Sequence, residues 1–350
     1  MNVIIRTDAS VEIGTGHVMR CLALADYLKK NYHANVTFVC KTAMGNLCDW
    51  LEDKSYNVVR LDQELNWEQD AYGTIKAINQ LFMKVDWIIV DHYGLDYQWE
   101  QKLREKTRSI IVIDDLANRN HDCDVLIDQN LDLDMQTRYI GKTPPNCQLL
   151  LGPQYAFLRE EFYWERKKLT QRSGTVKRVL VFLGGSDPYN TTFKVITALS
   201  KLDLGNRKID VVIGASNPYK NQIEEFCKRD SHFCTHFQVS NMAEMMAKSD
   251  LAIGAGGITT WERCFLGLPS FTILLAENQR RSTEAVESTG ATRCLGWEAT
   301  LNDQVIAEQI SKAFEQKEML LEMSHKALLL MGNSECQGIA AIFDKIKDKL

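Results

Sequence analysis

The sequence predicts an α/β protein of two parallel-sheet domains, and three observations carry that reading. The chain has 350 residues, which at roughly 150 residues per domain gives room for two cores. Its apolar fraction of 45% and charged fraction of 25% are those of an ordinary globular protein and exclude wholesale disorder or a fibrous architecture. Short β-branched runs alternate with longer stretches of helical periodicity, the pattern of βαβ units.

In the first half the predicted strands are Val3-Ile4-Ile5, Val36-Thr37-Phe38-Val39, Val58-Val59, Trp87-Ile88-Ile89-Val90, Ile110-Ile111-Val112-Ile113 and Val125-Leu126-Ile127. Helical stretches near 17–30, 66–84 and 96–107 separate several of them. The pattern then breaks into the charged run from Arg159 to Lys168, followed by Ser173-Gly174, which reads as a linker. Strands restart at Val179-Leu180-Val181-Phe182, Ile209 to Ile213, Leu251-Ala252-Ile253 and Phe271-Thr272-Ile273. From about 301 onward Met, Leu and Ala recur at three- and four-residue spacing, so these helices are expected to close the second domain. The expected division is a first domain over 1–152, a linker over 153–174 and a second domain over 175–350.

A net charge of -5 offers no broad basic surface, so nucleic acid is not an expected partner, although a cleft for one small anion is compatible with it. The ten cysteines include no C-x-x-C pair and no Cys/His cluster at zinc spacing, and most are expected to be buried thiols. The chain opens directly on a strand-like run and contains no apolar stretch of about 18 residues, so a cytoplasmic protein without a membrane span is expected; a monomer is the expected state.

Ligands of parallel sheets bind beyond the carboxyl ends of the strands, which singles out four segments. The first, Ile13-Gly14-Thr15-Gly16-His17, is neither a dinucleotide fingerprint nor a P-loop: Met19 stands at the third glycine position, and no Gly-Lys-Ser/Thr ending is present. Gly14 and Gly16 allow close backbone approach, and His17 falls on the first turn of a helix, where the dipole disfavours the imidazolium and favours a general base. A histidine that only caps or packs is the alternative. The second, Asp91-His92-Tyr93-Gly94, follows a strand; Asp91 or His92 could orient a catalytic group and Tyr93 could meet a sugar, or the segment is a satisfied turn. Asp114-Asp115 is a weaker case of the same kind.

The third segment, Gly184-Gly185-Ser186-Asp187, precedes a helix near Thr191, where amides and the Ser186 hydroxyl could meet a phosphate. The fourth, Gly254-Ala255-Gly256-Gly257-Ile258-Thr259-Thr260-Trp261-Glu262, reads as a diphosphate cradle with Glu262 placed to accept ribose hydroxyls. Asp132-x-Asp134 and Asp122-x-Asp124 are too weak a signal to assign a metal, and neither a metal nor a cofactor is expected.

Together these segments resemble the PseG family of UDP-sugar hydrolases of pseudaminic acid biosynthesis and their spore-coat SpsG relatives. The resemblance rests on Arg6-x-Asp8 with Gly14-x-Gly16-His17, Asp91-His92-Tyr93-Gly94, Gly152-Pro153-Gln154-Tyr155-Ala156, Leu158-Arg159-Glu160-Glu161-Phe162, Gly184-Gly185-Ser186-Asp187 and Glu277-Asn278-Gln279. The second half is also similar to the MurG type of glycosyltransferase, through Asn241-Met242-Ala243, Ser249-Asp250, Gly256-x-x-Thr259-x-x-Glu262 and Gly267-Leu268-Pro269. The resemblance implies a GT-B-like fold, two Rossmann-like parallel-sheet domains facing across a cleft. It implies metal-independent, inverting attack of water at C1 of UDP-2,4-diacetamido-2,4,6-trideoxy-β-L-altropyranose. His17 matches the family's base, with Arg6, Asp8, Gly16, Tyr93 and Asn278 on the sugar side. Uracil is expected near Val239, diphosphate at Gly185, Ser186, Gly256, Gly257, Thr259 and Thr260, ribose on Glu262, and a further contact from Gln279. A glycosyltransferase, a 2-epimerase of the same fold and a non-catalytic UDP-sugar binder are the competing readings.

Overall fold

The structure, a computed structural model, describes residues 1–62, 65–81, 84–332 and 338–346. It divides into two compact units after Phe157, and helix α13 (Ile339–Ile346) is grouped with the first.

The first unit is built on seven parallel strands: β1 (Asn2–Thr7), β2 (Asn35–Lys41), β3 (Asn57–Leu61), β4 (Val85–Asp91), β5 (Thr107–Ile113), β6 (Val125–Asp128) and β7 (Gln148–Leu151). They lie in the order β3-β2-β1-β4-β5-β6-β7. Side chains alternate across the sheet, and both faces are covered, which is why these strands read as unbroken apolar runs. Val3, Ile5, Phe38, Trp87 and Ile89 pack on one face beneath α1 (Gly16–Tyr32), α2 (Cys48–Asp53) and α13. Ile4, Val39, Ile88 and Val90 pack on the other against α3 (Trp67–Gln80) and α4 (Tyr97–Leu103). Each such aliphatic side chain contributes roughly 1.5–3 kcal/mol when fully buried. The start of α3 is fixed by a capping box: Asn66 accepts from the Gln69 amide and Gln69 accepts from the Asn66 amide.

The second unit is a six-stranded parallel sheet of β8 (Arg178–Phe182), β9 (Lys208–Ile213), β10 (Phe233–Phe237), β11 (Leu251–Ala255), β12 (Ser270–Leu274) and β13 (Arg293–Trp297). The order β10-β9-β8-β11-β12-β13 repeats the topology of the first. The helices α5 (Glu160–Lys168), α6 (Thr191–Leu199), α7 (Lys220–Cys227), α8 (Met242–Lys248), α9 (Thr259–Phe265), α10 (Arg280–Ser288), α11 (Asp303–Glu315) and α12 (Lys317–Met331) belong to this unit.

Two expectations about organisation change. The charged run at 159–168 is no open linker: it forms α5, which buries Phe162 and sets Tyr163 edge-on against Phe265 of α9. The helices after 301 do not all close the second domain either. Among the described residues α11 and α12 do, whereas α13 places Phe343 on Trp87 and Tyr27 of the first, with ring centroids 5.3 Å apart in each case. No helix of the described residues is long and apolar enough to cross a membrane.

Candidate active site

In both sheets the strand order reverses beside the first strand, and ligand sites of open α/β sheets form where the loops on either side of that reversal part. In the first unit the reversal lies between β1 and β4, so the loop from Asp8 to Gly16 and the segment Asp91–Gly94 share one rim. Gly14 adopts φ +75°, a left-handed conformation that a side chain disfavours, and the Ser10 and Gly14 backbones bond to each other to close the loop. Gly16 opens α1 and His17 is its second residue.

His17 Nδ1 lies 2.6 Å from Asp91 Oδ1. Arg20, one turn along α1, grips the same carboxylate through Nε at 2.5 Å and Nη2 at 2.6 Å. Its Nη1 donates to Asp115 at 2.9 Å. Burial works to raise the Asp91 pKa, but Arg20 and His17 outweigh it and hold the carboxyl well below the usual range. An ionised carboxylate only accepts, so the neutral His17 ring carries its proton on Nδ1 and keeps its lone pair on Nε2. The Tyr93 ring packs edge-on against His17 with centroids 4.5 Å apart.

Behind this group stands a second charged cluster. Arg6 was expected on the sugar side, yet it is fully enclosed: Nε and Nη2 bond Asp70, Nη1 and Nη2 bond Asp8, and Nη1 also reaches Val39 O. With every N–H committed it orients Asp8 rather than reaching a ligand. Asp8 also accepts from the Lys41 amide at 2.7 Å and faces His92 Nε2 at 3.1 Å. Since His92 Nδ1 accepts from the Gly94 amide, the His92 proton sits on Nε2 and points at Asp8, leaving no free base there. Burial lowers the pKa of His92.

The second unit gathers Ser186, Val239, Gly256–Thr260 and Asn278-Gln279 on loops after β8, β10, β11 and β12, all at the carboxyl rim of its parallel sheet. The loops after β8 and β11 flank the reversal. One expectation fails: the amides opening α6 are not free for a phosphate, because Asp187 accepts from Thr191 N at 2.9 Å and Thr192 N at 2.8 Å. Gly185 packs against Gly214, where a Cβ would fall 2.2 Å from Gly185 O. Gly256 is required by Thr283, whose Oγ1 would lie 2.4 Å from its Cβ, whereas Gly257 is open. Thr260 turns inward, toward Ala255 O and Arg263, and Thr259 is half-buried. Glu262 Oε1 is held by Arg159 at 3.2 Å. Asn278 is exposed, and Gln279 Oε1 accepts from Leu275 N at 3.1 Å.

The sequence assigns no role to Arg20, Arg159 or Arg263. Arg20 carried a signal, its position one helical turn after His17, which puts both on the same face. The aspartate pairs are taken up by arginines: Asp122 and Asp124 by Arg104, and Asp132 by Arg138. Among the described residues Asp210, Cys234 and His236 could hold a metal ion, their ligand atoms lying within 4.8 Å of one another. Arg178 already approaches that Asp210 at 3.3 Å.

Residues 179–340 match the glycosyltransferase family 28 C-terminal domain. The sequence is 30% identical over 286 residues to an uncharacterized protein of Methanocaldococcus jannaschii, covering 80% of this chain and 57% of that relative, so the chain spans little more than half its length. It is 28% identical over 290 residues to the UDP-2,4-diacetamido-2,4,6-trideoxy-beta-L-altropyranose hydrolase of Campylobacter jejuni, covering 83% of this chain and 97% of that one. It is 25% identical over 328 residues to the spore coat polysaccharide biosynthesis protein SpsG of Bacillus subtilis, covering 93% and 92%. Among solved structures, MurG of Acinetobacter baumannii superposes with a TM-score of 0.66 at 14% identity over 99% of each chain. The spinosyn forosaminyltransferase SpnP gives 0.66 at 12% identity over 99% of this chain and 98% of that one. These structures share the GT-B fold. The motif set around His17, the two matching sheets and these relatives agree: the chain is similar to the PseG and SpsG proteins and carries a glycosyltransferase family 28 C-terminal domain.

Proposed function

We propose that this protein hydrolyses a UDP-sugar, UDP-2,4-diacetamido-2,4,6-trideoxy-β-L-altropyranose, to UDP and the free sugar by inverting attack of water at C1. The observation that carries the reading is the 2.6 Å contact of His17 Nδ1 with Asp91, itself clamped by Arg20. In that tautomer Nε2 takes a proton from water while the water oxygen forms a bond to C1 and the C1–O bond to UDP breaks. The imidazolium formed is stabilised by Asp91. UDP leaves as an anion and needs less protonation than an alkoxide, so one base suffices and no carboxylate pair of the glycosidase kind is required. The first unit supplies the base, and the second supplies the nucleotide-binding loops around Ser186, Gly257, Thr259 and Glu262. The names of the Campylobacter relative and of a bifunctional Helicobacter pylori relative support the choice of sugar.

The match to a glycosyltransferase C-terminal domain supports a second reading, in which the same base activates an acceptor hydroxyl instead of water. Incubating the pure protein with this UDP-sugar and no acceptor, followed by proton NMR, separates the two. Release of UDP and a free sugar of inverted anomeric configuration is expected. Turnover that begins only when an acceptor is supplied would overturn hydrolysis in favour of transfer.

A further inference from the structure

Arg263 is enclosed in the second unit, only 2% exposed, yet among the described residues no carboxylate pairs with it. The adjacent carboxylate, Glu262, is engaged by Arg159 at 3.2 Å. Arg263 instead donates to Ala255 O at 2.9 Å, Thr260 Oγ1 at 3.1 Å and Thr259 Oγ1 at 3.0 Å, and its Nε is left without a partner. A guanidinium buried among neutral acceptors is costly, and burial pushes its pKa down to about 10. The half-buried Arg172 also leaves its Nε without a partner and is pushed down to about 10 by burial, but its other N–H groups donate to Met246, Ser249 and Leu266 carbonyls at the ends of α8 and α9, where partial negative charge collects. Arg263 has no such end beneath it. Its acceptors all belong to the stretch Ala255–Thr260, from the last residue of β11 to the start of α9, and Gly254 makes room for it, since a Cβ there would lie 2.5 Å from Nη1.

We propose that Arg263 is a positioning residue for a nucleoside diphosphate: a cation built under the Gly256–Thr260 loop whose counter-charge is the bound diphosphate. This rests on the reading of that loop as the nucleotide site. Two effects follow. The buried charge attracts the diphosphate through a dry layer in which screening is weak. Its N–H groups also occupy lone pairs of the two threonine hydroxyls; Thr260 then donates inward to Ala255 O at 3.5 Å, while the O–H of half-buried Thr259 is turned away from the guanidinium as a donor.

The test is calorimetric titration of the full chain with UDP and with uridine. The wild type is expected to bind UDP more tightly than uridine. Arg263→Met should weaken UDP at least tenfold and leave uridine within about twofold, and Arg263→Lys, which keeps the charge without the fork, should recover part of the loss. Thr259→Val, a milder change that keeps the fold should Arg263→Met lose it, is expected to weaken UDP threefold or more and spare uridine. Equal loss for both ligands in either variant, or UDP affinity unchanged in Thr259→Val, would overturn the role of Arg263 while leaving the nucleotide site standing. A wild type that binds UDP no better than uridine would overturn the site and the proposal together.

Discussion

At the scale of single residues, the chemistry turns on what Asp91 is allowed to do. It is fully buried, and the donors around it, Arg20 Nε, Arg20 Nη2, His17 Nδ1 and Cys21 Sγ, leave it no role but acceptor. His17→Asn is expected to keep UDP binding within about twofold and to lower turnover by about 10²-fold or more. A near-normal rate in that variant would remove His17 from the mechanism. Asp91→Asn keeps the size of the side chain but can offer its amide to Nδ1, which favours the wrong tautomer; about 10³–10⁴-fold loss of kcat is expected, read alongside unchanged UDP affinity. Arg20→Met strands Asp91 without its main counter-charge, so both activity and stability should fall, the latter by about 3–5 kcal/mol in urea unfolding. A stable, active Arg20→Met protein would show that the clamp is incidental.

At the scale of elements, two pieces of the first unit make separate predictions. Helix α13 supplies Phe343, whose ring stands 5.3 Å from Trp87 and Tyr27 and 5.1 Å from Tyr32. Phe343→Ala is expected to destabilise that unit by about 3–5 kcal/mol, measured by denaturant unfolding of the full chain. His121 joins α4 to the end of β5: Nδ1 is 2.7 Å from Glu100 and Nε2 is 3.9 Å from Asp114. Burial alone would lower its pKa, but the two carboxylates outweigh burial and raise it from 6.5 to about 9. The folded state therefore holds the proton more tightly than the unfolded chain, so this contribution to stability is complete below about pH 6.5 and is lost as pH rises through about 9. Ring-proton NMR should show His121 charged at pH 7.5; titration at or below 6.5 would contradict this.

At the scale of the whole molecule, ligand binding should appear as stability. UDP present at about 100 times its Kd is expected to stabilise the folded state by about 2.7 kcal/mol, seen as a rise in Tm that uridine reproduces only in part. What the sequence determined by itself was the architecture: runs such as Trp87–Val90 are apolar at every position because parallel strands covered on both faces have no solvent side. It also marked the rim loops, since glycines, His17 and Asp91 follow directly on such runs. Strands β7, β10 and β13 were not legible, and each is the edge of its sheet, where one neighbour is missing and short, partly polar segments such as Phe233–Phe237 suffice. The charged helix α5 reads as a linker because its burial rests on one phenylalanine and on Arg166, which reaches the end of α9. Only the tertiary structure decided the partners of the charges. That Asp70 encloses Arg6 and that Arg20 clamps Asp91 depend on residues far apart in the chain, whereas Asp187 at the start of α6 and Arg263 beneath its glycine loop meet near neighbours whose geometry only the fold sets. Electrostatic pairing acts through space at a few ångströms, and local patterning records only which residues are near in sequence.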